Sequence, residues 1–195
     1  MRKIAMLGAV AALGMSGAAL AADGVSHSFV EAGYGYSELA GGAFEDGHGF
    51  QLAASYELPA NVIVAARYSD VDYGPGSVKL LGAGVGYKWA LGASFDFVAA
   101  ASYEQFDAGG SFDEDGFGLS AGLRGLLTDT VELSGSLKYT DLGSALPTFF
   151  GISLGVRKYF HPSFAAGVEL RKSDFANFGE TSAFATVRYD FGGRK

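Results

Sequence analysis

SFDFVAAASYEQF, residues 94–106, decides the fold. Every second residue separates it into two sets. Phe95, Phe97, Ala99, Ala101 and Tyr103 form one, and Asp96, Val98, Ala100, Ser102 and Glu104 the other. That period of two is the signature of a β-strand with one greasy and one wetter face. The alternation alone does not say whether the greasy face packs against a core or looks out at lipid.

The same pattern recurs ten times, over 25–36, 48–58, 62–69, 78–89, 95–106, 117–126, 131–140, 149–160, 164–172 and 181–191. After the N-terminus there is no stretch of helical period and no linker, so one all-β domain is expected. Connections alternate in length. Short ones fall at 59–61, 90–94, 127–130 and 161–163, and longer ones at 37–47, 70–77, 107–116, 141–148 and 173–180. Tight turns at one end and long loops at the other are the plan of a transmembrane antiparallel up-and-down β-barrel, with the turns periplasmic and the loops extracellular.

The greasy faces have aliphatic middles and aromatic ends. Tyr36, Tyr68, Tyr103, Phe117 and Tyr139 lie toward the loops, and Tyr56, Tyr87, Trp89, Phe95, Phe164, Tyr189 and Phe191 toward the turns. Two aromatic rims around an aliphatic band fit a bilayer, because amphipathic rings prefer the headgroup level. The opposite faces are rich in glycine and serine, which weaken an exposed strand but suit a crowded lumen. They also carry Glu31, Arg67, Lys88, Asp96, Glu104, Arg124, Glu132, Lys138, Arg157, Glu169, Arg171 and Arg188. The greasy face is therefore expected to meet lipid, and these twelve charges are expected to line the lumen as structural or pore-lining groups. Seven are basic and five acidic, which implies a narrow, salt-bridged interior. Turns centred near residues 92 and 128 would set Lys88 across from Asp96 and Arg124 across from Glu132. Arg188 and Glu31 would meet where the last strand closes on the first. Lys79 and Lys158 fall on the lipid side near strand ends, where a lysine costs only ~0–1 kcal/mol.

Composition narrows the classes. The 195 residues contain no cysteine, which excludes disulfides, thiolate metal sites and a lipobox anchor. Aromatic content of 14% argues against disorder. Residues 1–21 read as a signal peptide: Arg2 and Lys3, an apolar run from Ile4 to Met15, then Ala19-Leu20-Ala21, with cleavage after Ala21 and Ala22 as the next choice. The barrel domain is then 22–195. Losing two of the 14 basic residues leaves 12 against 21 acidic ones, a formal charge of −9. That disfavours nucleic acid, which calls for a basic patch. The longer connections hold 12 of the acidic residues and no Lys or Arg.

SFVEAGYGYSE (28–38), LGAGVGYKW (81–89), YEQFDAGGSFDEDGFG (103–118) and the closing VRYDF (187–191) resemble a family of small porin-like outer-membrane β-barrels of Gram-negative bacteria, once proposed as the source of a secreted signal peptide. The resemblance spans Ser28 to Phe191. It implies an outer-membrane location and no enzymatic activity. One departure stands out. Such barrels commonly end on an aromatic residue, whereas Phe191 is followed by Gly192-Gly193-Arg194-Lys195. The secreted-peptide role gains little here, since 23–36 is taken up by the first strand.

Catalytic and metal chemistry find little purchase. His48 with Asp70 and Asp72 could imitate an aspartate–histidine protease, but we read them as rim residues and expect no enzyme. His27 lies at the periplasmic end. Asp113-Glu114-Asp115 with Asp107 offers oxygen ligands of the kind Ca²⁺ or Mg²⁺ favours, without EF-hand spacing; we read it as a solvated loop and expect no cofactor. The expected partners are outer-membrane lipids and lipopolysaccharide. Two functions remain: a structural or small-solute porin-like barrel, and a surface adhesion protein acting through its acidic loops.

Overall fold

Period-two patterning with glycine, serine and polar turns becomes ten antiparallel strands in the computed structural model, which describes residues 25–39, 46–74, 76–109, 113–143, 148–175 and 178–191. Residues 1–24, with the expected signal peptide, and residues 192–195 lie outside the described residues. The strands are β1 (Phe29–Leu39), β2 (Gly47–Leu58), β3 (Val62–Asp72), β4 (Ser77–Leu91), β5 (Phe95–Asp107), β6 (Asp113–Thr128), β7 (Val131–Asp141), β8 (Phe149–His161), β9 (Phe164–Phe175) and β10 (Phe178–Asp190). Each pairs with its sequence neighbours, and β1 pairs with β10, so the sheet closes. Closure leaves no open edge, which a bilayer requires because nothing in hydrocarbon can satisfy a free backbone group.

The opening question is settled by burial. Asp96, Val98, Ser102 and Glu104 are buried, while Ala101 and Tyr103 are exposed and Phe95, Phe97 and Ala99 partly so. β8 shows the split most sharply: Phe150, Ile152, Leu154, Val156 and Phe160 stand exposed, while Phe149, Ser153, Arg157 and Tyr159 are buried. The apolar wall faces outward. Its rings touch around the circumference at both levels. Tyr87–Trp89 (4.7 Å) and Trp89–Phe97 (5.6 Å) lie toward the turns, and Tyr139–Phe150 (5.2 Å) and Phe50–Tyr68 (5.8 Å) toward the loops.

Three details correct the sequence reading. Strand β1 begins at Phe29, not at 25. The Ser26 hydroxyl accepts the Ser28 N–H at 3.1 Å, a side-chain turn that draws Val25–Ser28 off the ladder and into the turn-end mouth, where all four are buried. The strands also rise further than expected at the loop end. β4 has 15 residues and β6 has 16, against the ~9–11 that cross a bilayer. Ten of the twelve acids assigned to loops consequently sit on strands, Glu45 being outside the described residues and Asp46 just ahead of β2. Finally, the β4–β5 turn is Gly92-Ala93-Ser94, with Gly92 at φ +83°. This moves the hairpin centre by one position and the cross-strand register by two.

Candidate functional site

All twelve charges named from the sequence point inward and are at most 6% exposed. Their pairing differs from the rungs expected. Lys88 faces Val98 rather than Asp96, and its ammonium donates to Glu57 Oε1 at 2.5 Å. Arg124 faces Ser134, with a bulge at Leu126/Thr128 in between, and reaches Glu132 diagonally at 2.7 Å. Arg188 does stand opposite Glu31, and its Nε donates to Glu31 Oε2 at 2.9 Å.

Most of the remaining bonds are chords between strands that are not neighbours. The Arg157 guanidinium, on β8, joins one such chord to its two neighbouring strands. Its Nε donates to Glu31 Oε2 on β1 at 2.7 Å, and its terminal nitrogens reach Glu169 Oε2 at 3.3 Å and Glu132 Oε1 at 3.5 Å. Arg188 on β10 reaches Glu132 on β7 at 3.2 Å. Arg67 on β3 crosses to Glu169 on β9 at 3.5 Å. Arg171 donates to Glu169 at 2.7 Å and to Gln51 on β2. Nearer the loops, Lys138 on β7 donates to Glu104 on β5 at 2.6 Å. Such chords pass through the middle of the barrel and fill it.

Glycines make the room. A Cβ on Gly155 would lie 3.0 Å from an Arg157 terminal nitrogen, and one on Gly118 would lie 2.8 Å from Lys138 Cε. Apolar rings cover the guanidinium planes. Phe29 lies against both Arg188 (3.9 Å from carbon to ring centre) and Arg124 (5.2 Å), and Phe184 lies under Arg171 (4.9 Å).

Each mouth holds a cluster of buried apolar side chains. At the turn end Val25, Ile63 and Val98 cluster with Leu126. His27 is buried beside them, with Nε2 3.9 Å from Asp96 Oδ2 and no hydrogen bond to either ring nitrogen among the described residues. Burial, with Arg124, Lys88 and Arg188 nearby, pushes its pKa far below the usual histidine range and keeps the ring neutral. At the loop end Val71, Tyr73, Val78, Leu80, Phe106, Ala108, Leu142 and Phe149 form a cap. The Tyr73 hydroxyl donates to Ser37 Oγ at 3.0 Å and Glu180 Oε1 at 3.3 Å; burial and the Glu180 charge raise its pKa.

Glu57, Glu180 and Asp190 are lumen residues that the sequence reading missed. Glu180 was counted with an outer loop, yet it is buried among the hydroxyls of Ser37, Ser173, Ser182 and Tyr73. It and Asp190 share the parity of Arg188, and that parity was the available signal.

Of the catalytic candidates, the register brings only His48 and Asp72 together. Asp107 pairs with Asp113 across the hairpin, but alternation turns Glu114 to the opposite face from Asp113 and Asp115. No cluster of three or more metal-ligating side chains exists among the described residues. His48 stands directly opposite Asp72 on the outward face and packs 5.6 Å from the Tyr36 ring; Asp72 accepts the Gly74 N–H at 2.8 Å, and Asp70 the Tyr68 hydroxyl at 3.4 Å.

A closed, even-stranded antiparallel sheet with an apolar exterior and an ion-filled interior defines a transmembrane β-barrel of the porin-like, outer-membrane type. No protein-family model and no curated protein matches the sequence. Among solved structures, the fold is similar to the NanC porin, with a TM-score of 0.56 and 11% identity over 83% of this chain and 100% of that one. Looser similarities are to the KdgM porin (TM-score 0.46, 12% identity, 83% and 99% covered) and to Neisserial surface protein A (TM-score 0.46, 16% identity, 85% and 98% covered). Identities this low speak to the fold alone.

Proposed function

We propose that the chain is a structural outer-membrane barrel, exported through the periplasm behind the cleaved segment 1–21, closed to solutes at rest, and displaying an acidic rim to the exterior. The observation that carries this reading is the ion network around Arg157, which leaves its guanidinium and the carboxylates of Glu31, Glu132 and Glu169 all buried. A water-filled channel would expose such groups. The rim consists of Glu38, Asp72, Asp113, Asp115 and Asp174 on exposed strand tops, with Asp70, Asp107 and Asp141 half-buried. It offers a negative surface to cationic partners, the basis of an adhesive role. Release of a peptide from the chain's start forms no part of the proposal, because Val25–Ser28 are buried in the barrel mouth.

Small-solute passage is the second reading. It is favoured by the small inward side chains of β4–β6 (Gly84, Gly86, Ala100, Ser102, Gly118, Ser120, Gly122), which leave the long cations a wall to swing against. Planar-bilayer recording separates the two. The intact barrel is expected to give no resolved conductance steps, whereas Arg157→Ala is expected to give them. Resolved steps in the unaltered protein would replace the closed-barrel reading with the porin reading.

A further inference from the structure

Five of the cations on the barrel are arginines and two are lysines that point inward; among the described residues only Lys79, Lys158 and Lys172 point outward. Lys79 stands between Asp70 and Asp107 in the cross-strand register, so its charge is compensated. Lys158 is at the turn end, between Val131 and Ala166. Lys172 is different. Its cross-strand partners are Ile152 and Thr181, and it forms no ion pair among the described residues. It lies two register rows inside the row that joins Tyr139, Phe150 and Asp174 at the outer aromatic level.

Lys172 also borders a groove of about 580 Å³ in the outward wall of β6–β9. Leu119, Leu137, Tyr139 and Ile152 form its sides. Ala121, between bulkier neighbours, leaves the depression open. A second outward groove, of about 530 Å³ around Ala32, Ala54 and Ala66, has only uncharged outward side chains, so nothing there selects an occupant. The β6–β9 groove pairs an apolar channel in the hydrocarbon zone with one cation at the headgroup level. A lysine in that position extends its ammonium toward the interface while its stem stays in the apolar layer.

We propose that the β6–β9 groove docks one phosphate-bearing lipid of the outer leaflet, with an acyl chain along Leu119, Ala121, Leu137 and Ile152 and the phosphate on the Lys172 ammonium. Asp174, two residues along the same face, and Glu38, two strands away in the same row, are the carboxylates that oppose it. They make the site selective for a phosphate that stays on the Lys172 side. The inference rests on the membrane-spanning reading above.

The test uses the full barrel in phosphatidylcholine nanodiscs, with bound lipid counted by native mass spectrometry. Phosphatidic acid, diacylglycerol with the same chains, and inorganic phosphate are added in turn. Phosphatidic acid should be retained about tenfold better than diacylglycerol, a gap of about 1.4 kcal/mol, and inorganic phosphate should not bind. Lys172→Gln should abolish the preference, Lys172→Arg should keep it, and Asp174→Asn should increase it. Ala121→Trp, which fills the groove, should weaken both lipids. Equal retention of the two lipids by the unaltered barrel, or an unchanged preference in Lys172→Gln, would overturn the site and leave only unselective annular lipid. Failure of the unaltered barrel to enter nanodiscs would instead strike the membrane-spanning reading.

Discussion

The two walls of β8 are built from interleaved residues, yet they obey opposite rules. Outward, Leu154 is 57% exposed and Phe150 65%. Inward, Arg157 is 1% exposed and the Glu132 it reaches 0%. In a water-soluble protein those environments would be exchanged. The outer wall needs only to be apolar and of the right height, so its residues are replaceable by others of similar character. The inner wall is specific: each cation has named oxygens within ion-pair distance, and each loss leaves buried charge unbalanced. Buried ion pairs are weak net stabilisers but costly to break, because the surviving partner keeps its desolvation penalty. Sensitivity should therefore be concentrated inside.

The sharpest way to break the contrast is Arg157→Ala. It removes the one cation shared by Glu31, Glu132 and Glu169, which keep Arg188, Arg124 and Arg171 respectively, and the buried charge left unbalanced should cost about 3 kcal/mol, read as a fall in the urea midpoint for unfolding from lipid vesicles; a loss as small as that of Leu154→Ala on the outer wall would show that the ion network carries no special weight. Next comes Gly155→Val. The added atoms collide with Ser134 Oγ, 2.6 Å from the Cβ position, and with the Arg157 head, and overpacking of this kind costs about 1–3 kcal/mol. The variant's heat-modifiability on gels should shift accordingly.

His27 tests the turn-end mouth. Its folded pKa lies below its unfolded value, so the unfolded chain takes up the proton first. The contribution is intact above about pH 6.5 and falls by about 1.4 kcal/mol per pH unit below that. Thermal unfolding of the barrel across pH 7 to 5 should show this slope, and His27→Phe should flatten it. The smallest effect belongs to the outer wall: Lys79→Gln should change stability by about 0–1 kcal/mol, measurable as a near-unchanged urea midpoint.

Much of this architecture was legible in the residues themselves. Alternation such as Phe95-Asp96-Phe97 identified the strands and sorted twelve charges onto the inner wall and Lys79 and Lys158 onto the outer one, because side chains alternate whatever the tertiary fold. Strand ends were less legible. Asp113 to Asp115 read as loop because acids are poor strand formers, but hairpin pairing to Asp107 extends β6 through them. Least legible were the partners. Arg157 meets Glu31, 126 positions away, only because ten strands close into a cylinder with a particular stagger, and no local pattern encodes that stagger. The Lys88–Asp96 expectation failed for a smaller reason: the turn centres on Ala93, one position beyond Gly92.

That two-residue displacement exposes a problem the barrel itself must solve. Sliding a strand by one position turns its greasy side inward and is punished at once; sliding by two leaves every apolar residue in oil and every polar one enclosed. Hydrophobicity cannot detect the second mistake. The cross-lumen ion pairs can, since a shift of about 6.6–6.8 Å along one strand carries Arg157 out of reach of its acceptors on three others. The salt network thus proofreads alignment, rejecting assemblies that the membrane would accept.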